Sequence, residues 1–234
     1  MPGNHNDAFV AELKQRVVER NANLRHPFAR KLIEGQLTPA QLRGWAAQRY
    51  KGITGMGMAN LGQLFIKAPD EEVRGHIWEV LGEEGGYAHD EASHQEWLFR
   101  FGSALGMTRR DFEQVEPLPE TVAVNSFYLH MLLNRSFLEG FASVVAVESQ
   151  NPTGFAAWSK AFRDHYGLER DALAFFLGHI EADSDEGGHA GEGWAIVARY
   201  AVTDELREAV SRTVDQALGM YWLSLDGIER AYVK

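Results

Sequence analysis

Six acidic and imidazole side chains fall where helical periodicity would place core residues, and they are the types that bind transition metals. Ile77, Leu81 and Glu84 lie at i, i+4 and i+7 on one helical stripe, whereas Glu79 and Glu83 fall on the solvent side. His94 shares a face with Trp97, Leu98, Phe101 and Leu105, and Phe137, Phe141, Val144 and Glu148 form a third stripe. Ala172, Phe175, Phe176 and His179 form a fourth. Asp183 and Glu186 follow His179 at offsets of about 40° and −20°, which keeps all three on that face. A carboxylate turned to an apolar interior must be paired, protonated or bound to a cation. Three or more inward carboxylates and two histidines, drawn from four helices, suit a dimetal centre. Iron and manganese accept both ligand types, and carboxylates can bridge two ions. The spacing runs Glu84-x9-His94, then Glu148, then His179-x3-Asp183-x2-Glu186, with His189 three residues further on. Each residue alone reads more simply as a hydrogen-bonded core residue; four such segments together put the metal reading on an equal footing.

Helices must position these groups, and the periodicity is helical throughout. Val10, Leu13, Val17 and Val18 keep a helical spacing, and Thr38-Pro39 gives an N-cap followed by proline at the first helical position. A long segment then runs past Trp45 and Tyr50 toward Ile66. Its glycines (Gly52, Gly55, Gly57, Gly62) point to a kink or to a wall that a ligand approaches. Pro69-Asp70 restarts a helix that ends near Gly85-Gly86. Another spans about 90–106, and Thr108 caps a short one. A long apolar helix is expected over 121–149, stopped by Asn151-Pro152, and three more over about 153–166, 169–186 and 204–232. No alternating strand or hairpin signal appears. The expected architecture is all-α, a single compact helical bundle of seven to nine helices filling residues 1–234 as one domain.

The 234 residues carry 23 basic and 33 acidic side chains, a net charge of −10, which argues against nucleic acid as a partner. The absence of cysteine excludes disulfide scaffolds, thiolate metal sites and cysteine nucleophiles. No apolar run is long enough for a membrane span, and the first residues lack the pattern of a secretory signal, so a cytoplasmic protein is expected.

Several segments resemble the haem-oxygenase-like superfamily, in the branch that holds pyrroloquinoline-quinone synthases, TenA thiaminases, CADD proteins and dimetal oxidases. They are Leu24-Arg25-His26-Pro27-Phe28, the GW-x3-R segment from Gly44 to Tyr50, the run from Leu81 through His94 to Gly106, Glu148, and His179 to His189. The resemblance implies a haem-oxygenase-like fold. It matches Glu84, His94, Glu148, His179 and Asp183 to the ligands of the dimetal oxidases. The H-x3-D-x2-H motif of that group ends in Glu186 here, so either Glu186 or His189 would complete the site. His26 and Arg49 match parts of the quinone-synthase pocket, while Tyr50, Lys51 and Ile53 replace parts of its substrate-binding stretch. TenA chemistry needs a cysteine, which the chain lacks. The self-sacrificing CADD route needs a lysine close to where Trp158 stands, with Lys160 two places on.

The function expected from all of this is a non-haem oxidase or oxygenase with two ions, iron or manganese, and O2 as co-substrate, acting on a small organic molecule. A metal-free oxidase of the quinone-synthase type and a non-catalytic helical interaction protein are the alternatives. Arg49, His26 and Tyr50 are the candidates on the substrate side, Arg49 because a guanidinium pairs bidentately with a carboxylate. Each has a structural reading too: an ion pair for Arg49, a helix cap for His26, core packing for Tyr50. A homodimer is expected, with the stripe Leu218, Tyr221, Trp222, Leu225 and Ile228 serving either an interface or the core. His130 is a candidate to line the pocket, and Phe101, Phe141 and Phe176 to border it.

Overall fold

The N-terminal helix α1 (Gly3–Glu19) leads into two short pieces, α2 (Ala22–Arg25) and α3 (Pro27–Ile33), that turn the chain under the bundle. The computed structural model describes residues 3–87, 92–184 and 188–234. Next come α4 (Pro39–Arg49), a π-helical turn over Tyr50–Thr54, α5 (Gly55–Lys67), α6 (Glu71–Glu84), α7 (His94–Ala104) and α8 (Arg109–Gln114). The chain continues with α9 (Pro119–Asn134), α10 (Phe137–Glu148), α11 (Asn151–Tyr166), a 3₁₀ turn, α12 (Ala174–Ala182), α13 (His189–Tyr200) and α14 (Asp204–Ile228). Eleven of these helices have nine residues or more, above the seven to nine expected. The described residues contain no strand, and the fold is all-α.

The extra helices arise where local chemistry breaks a continuous apolar pattern. The segment expected to run unbroken over 121–149 divides because Ser136 accepts from the Glu139 amide and Glu139 reaches back to the Ser136 amide, a reciprocal cap that starts α10. The segment from Thr38 toward Ile66 divides at Gly52, whose angles (φ −94°, ψ −120°) leave the helical region. Thr38 and Pro39 open α4 as expected, with Gln41 completing the capping box. At the end of α11, Gly167 adopts φ +65°, the left-handed conformation a C-cap favours and a side chain resists. Helix α13 has no counterpart among the expected helices.

Helix α10 is the axle. Eight of its twelve residues are buried, and it packs against α14, α13, α9 and α5, so it is apolar on nearly all sides. A second group joins α11 to α12, α2 and α3. Between the two groups an aromatic cluster fills the centre. The Trp45 ring lies edge-on to Phe101 and Trp158, at 5.8 and 5.3 Å, and stacks on Phe176 at 5.7 Å. Such pairs add attraction beyond the area they bury. The C-terminal stripe belongs to this core: Leu218, Tyr221, Leu225 and Ile228 are all buried within the chain. No helix among the described residues is long and apolar enough to cross a membrane.

Candidate metal centre

Four helix ends meet beside the axle. Glu84 is the last residue of α6, His94 the first of α7, Glu148 the last of α10, and His179 lies in the final turn of α12 with Asp183 just beyond it. Helix ends hold side chains at the layer where elements converge, and here they bring one ligand atom each from Glu84, His94 and His179 within 4.8 Å of one another.

The details fit a metal. His179 Nδ1–H donates to the Phe175 carbonyl at 2.6 Å, which leaves Nε2 as the lone-pair nitrogen. Metal-bound imidazoles are oriented in this way. His94 Nδ1 lies 2.8 Å from Glu84 Oε1, yet the two are not aligned as donor and acceptor, and the nitrogen is buried with no hydrogen-bond partner. Trp97 stacks on the His94 ring at 4.6 Å and fixes its plane. Asp183 is held by Asn151, whose Nδ2 donates to Oδ2 at 2.7 Å. Asn151 is the first residue of α11, so the asparagine that follows the end of α10, as expected, also orients a carboxylate. No signal in the sequence marked that role, because it depends on the end of α12 meeting the start of α11.

The charges are balanced unevenly. Burial raises the Glu84 carboxyl, but His94 outweighs it and holds the group down at about 2. Burial would lower His94, and the Glu84 charge reverses that, so its pKa is raised. Burial, then the neighbouring His94, depresses His179 to about 3. Asp183 is pushed up to about 7 by burial, and Glu148 is raised by burial and then by the charges of Asp183 and Glu84. This set of buried carboxylates, with Glu148 and Asp183 raised beside the Glu84–His94 pair, is what a cation would relieve.

A cavity of about 60 Å³ adjoins these groups. Glu84, Glu148, His179 and Asn151 form its polar side, and Ile53, Leu61, Val144 and Val147 its apolar side. Arg49, Thr54, Gly57, Asn60 and Tyr128 complete it. Arg49 Nε donates to Thr54 Oγ1 at 3.1 Å, across the π-helical turn.

The remaining candidates lie elsewhere. His26 is the N-cap of α3: Nδ1 accepts from the Phe28 amide and Nε2–H donates to Asp226 Oδ1 at 3.0 Å. It borders no part of the cavity, and the cap reading replaces the pocket reading because both nitrogens are engaged. Tyr50 packs between Phe99 and Phe112, away from the cavity. His189 is engaged by Glu83 at 3.0 Å, with Nδ1 4.0 Å from Asp183 Oδ1. Glu186 and His89 lie outside the described residues. His130 is exposed, so it does not line the pocket, whereas His76 is half-buried and paired with Glu192 at 2.8 Å. Phe101 and Phe176 belong to the aromatic core and do not border the cavity; Phe141 borders a smaller neighbouring one. Trp158 is buried, its indole N–H donating to the Asn23 carbonyl at 2.6 Å, and Lys160 is exposed and paired with Asp164. Asn60, on the cavity wall, and Asn151 are the polar residues that periodicity did not single out.

The chain is 28% identical over 226 residues to the 4-aminobenzoate synthase of Nitrosomonas europaea, covering 92% of this chain and 89% of that one. It is 27% identical over 230 residues to the pyrroloquinoline-quinone synthase of Gluconobacter oxydans, covering 97% and 93%. Among solved structures, a protein of haem-oxygenase-like fold from Shewanella denitrificans superposes with a TM-score of 0.79 at 19% identity, covering 95% of this chain and 92% of that one. A CADD-like protein from Nostoc punctiforme superposes with a TM-score of 0.77 at 16% identity, covering 99% and 100%. The family model described as iron-containing redox enzyme matches residues 44–222, a span that contains Glu84, His94, Glu148, His179 and Asp183. With that match over most of its length, this chain belongs to the iron-containing redox enzymes of haem-oxygenase-like fold and is an oxidoreductase.

Proposed function

We propose that the chain is an oxygen-dependent oxidase or oxygenase that holds two iron ions, or manganese, and acts on a small organic acid. The observation that carries this reading is the convergence of Glu84, His94 and His179 beside two further buried carboxylates, Glu148 and Asp183, at the wall of a cavity. Two ions would satisfy what one cannot, because among the described residues Glu148 and Asp183 each lack a cationic partner within 4 Å except the marginal His189 contact of Asp183. Carboxylates able to bridge offset the charge of a metal pair. When bound, iron supplies the capacity to activate O2.

The chain's own residues provide the rest. Asn151 aims Asp183, the Phe175 carbonyl sets the His179 tautomer, and Trp97 fixes the plane of His94. Ile53, Leu61, Val144 and Val147 exclude water from the reacting side, and Arg49 offers a fixed positive group for a substrate carboxylate.

Metal analysis after anaerobic reconstitution with ferrous iron tests the reading. About two equivalents are expected for the wild-type chain, with a large loss in Glu148→Ala and in His179→Ala. Retention of far less than one equivalent, with no change in either variant, would overturn it. Oxygen consumption by such metal-poor protein would then favour the metal-free oxidase, a chemistry the similarity to pyrroloquinoline-quinone synthases keeps in view.

A further inference from the structure

We infer that the cavity takes a compact organic acid bearing a second, uncharged N–H or O–H donor, the acid met by Arg49 and the donor by Asn60. This rests on the cavity being the substrate site proposed above, and it adds Asn60 as the residue that selects among acids. Arg49 and Asn60 are each only 8% exposed and line the same cavity. Arg49 Nη1 and Asn60 Oδ1 are buried atoms with no hydrogen-bond partner. The five other such atoms among the described residues, on Asn21, His94, Gln150, Ser159 and Glu229, belong to residues that do not border this cavity. Orphaned buried polar atoms are rare and unfavourable, so two of them on one cavity wall point to a ligand that completes both.

Their chemistry states what that ligand carries. The guanidinium of Arg49 is pinned by Thr54 and lies over the rings of Phe175 and Tyr221 at 5.8 and 5.9 Å, so it is pre-oriented within the protein. Its charge is felt by Glu148 and Asp183, but among the ion pairs of the described residues it has none, so it can still pair directly with an incoming acid. Asn60 Oδ1 is an acceptor, so the ligand atom that meets it must be a donor. Ile53, Leu61 and Val144 on the same wall suit an apolar body, and a volume of about 60 Å³, room for roughly four waters, keeps that body short.

Calorimetric titration tests this with ω-hydroxyalkanoates of roughly two to three carbons, the shortest members and the nearest in size to such a volume. Each is compared with the plain alkanoate and with the methyl ether of the same length. The protein is titrated both chelator-treated and iron-loaded, and melting curves verify the fold of each variant. One chain length is expected to bind best as the hydroxy acid, about three- to tenfold tighter than its alkanoate. Asn60→Leu is expected to erase that difference, with Asn60→Ala as the second variant if the first does not fold. Arg49→Gln is expected to weaken hydroxy acid and alkanoate alike by more than about tenfold. Equal binding of hydroxy acid and alkanoate, equal binding of the methyl ether, a preference that survives both Asn60 variants, or no binding of any probe would each overturn the inference. Binding to chelator-treated protein separates it from the dimetal reading: a hydroxy-acid preference in a chain that loads no iron sinks the latter alone.

Discussion

Asp183 illustrates how one side chain can be both costly and useful. Burial raises its carboxyl to about 7 against the Asn151 hydrogen bond and the charges of His94 and Arg49, so near neutrality the metal-free protein carries a proton there about half the time. A cation must displace that proton, and Glu148 is raised in the same direction. Affinity for a divalent probe such as manganese is therefore expected to fall as pH drops from about 8 to 6, which titrations at fixed ionic strength would measure. Asn151→Ala leaves Asp183 unoriented, and a roughly 10- to 100-fold loss of metal affinity is expected, the usual scale for removing a residue that orients a ligand. His26 works through a different linkage. Burial lowers its pKa, and its cap to Phe28 needs a neutral Nδ1. The unfolded chain thus binds a proton more readily, so this contribution to stability is complete above about pH 6.5 and is lost as pH falls below it. His26→Asn, which retains a capping oxygen, is expected to flatten that part of the stability profile between pH 7.5 and 5.5, read by denaturant titration.

At the scale of elements, caps and close approaches decide where the ligands stand. The Ser136–Glu139 box begins α10, and Ser136→Ala is expected to cost about 1 kcal/mol, seen as a lower melting temperature. A side chain at Gly178 on α12 would meet the Trp97 ring at 2.3 Å. Because Trp97 stacks on His94, Gly178→Ala is expected to destabilise by about 1–3 kcal/mol and to weaken metal binding as well, checked by melting and by metal titration. The N-cap at Thr38-Pro39 and the helix beginning at Asp70 were legible because a cap is a local bond between neighbouring residues. The break at Ser136 carried the same local signature, but it sits inside an apolar run, and periodicity alone reads through it. The turn at Gly52 was legible as a kink or wall, though not which, since that depends on α9 lying against it: the Asn125 amide donates to the Lys51 carbonyl there at 2.9 Å.

At the scale of the molecule, the aromatic centre joins both helix groups. Phe176 touches Trp45, Phe101, Phe155 and Phe162 from a fully buried position. Phe176→Ala is expected to cost about 3–5 kcal/mol, a drop in melting temperature of the order of 10 °C for a chain this size. The sequence by itself determined the all-α class and the inward placement of Glu84, His94 and His179, because periodicity and apolar neighbours fix which face of a helix is buried. It also contained the spacing that relates them. Only the tertiary structure decided that His26 is a cap, that Tyr50 is packing, that Asn151 orients Asp183, and that Arg49 and Asn60 face one cavity. Those facts depend on residues far apart in the chain meeting at helix ends, and the angle at which two helices cross is set by packing across the whole bundle rather than by any short stretch of residues.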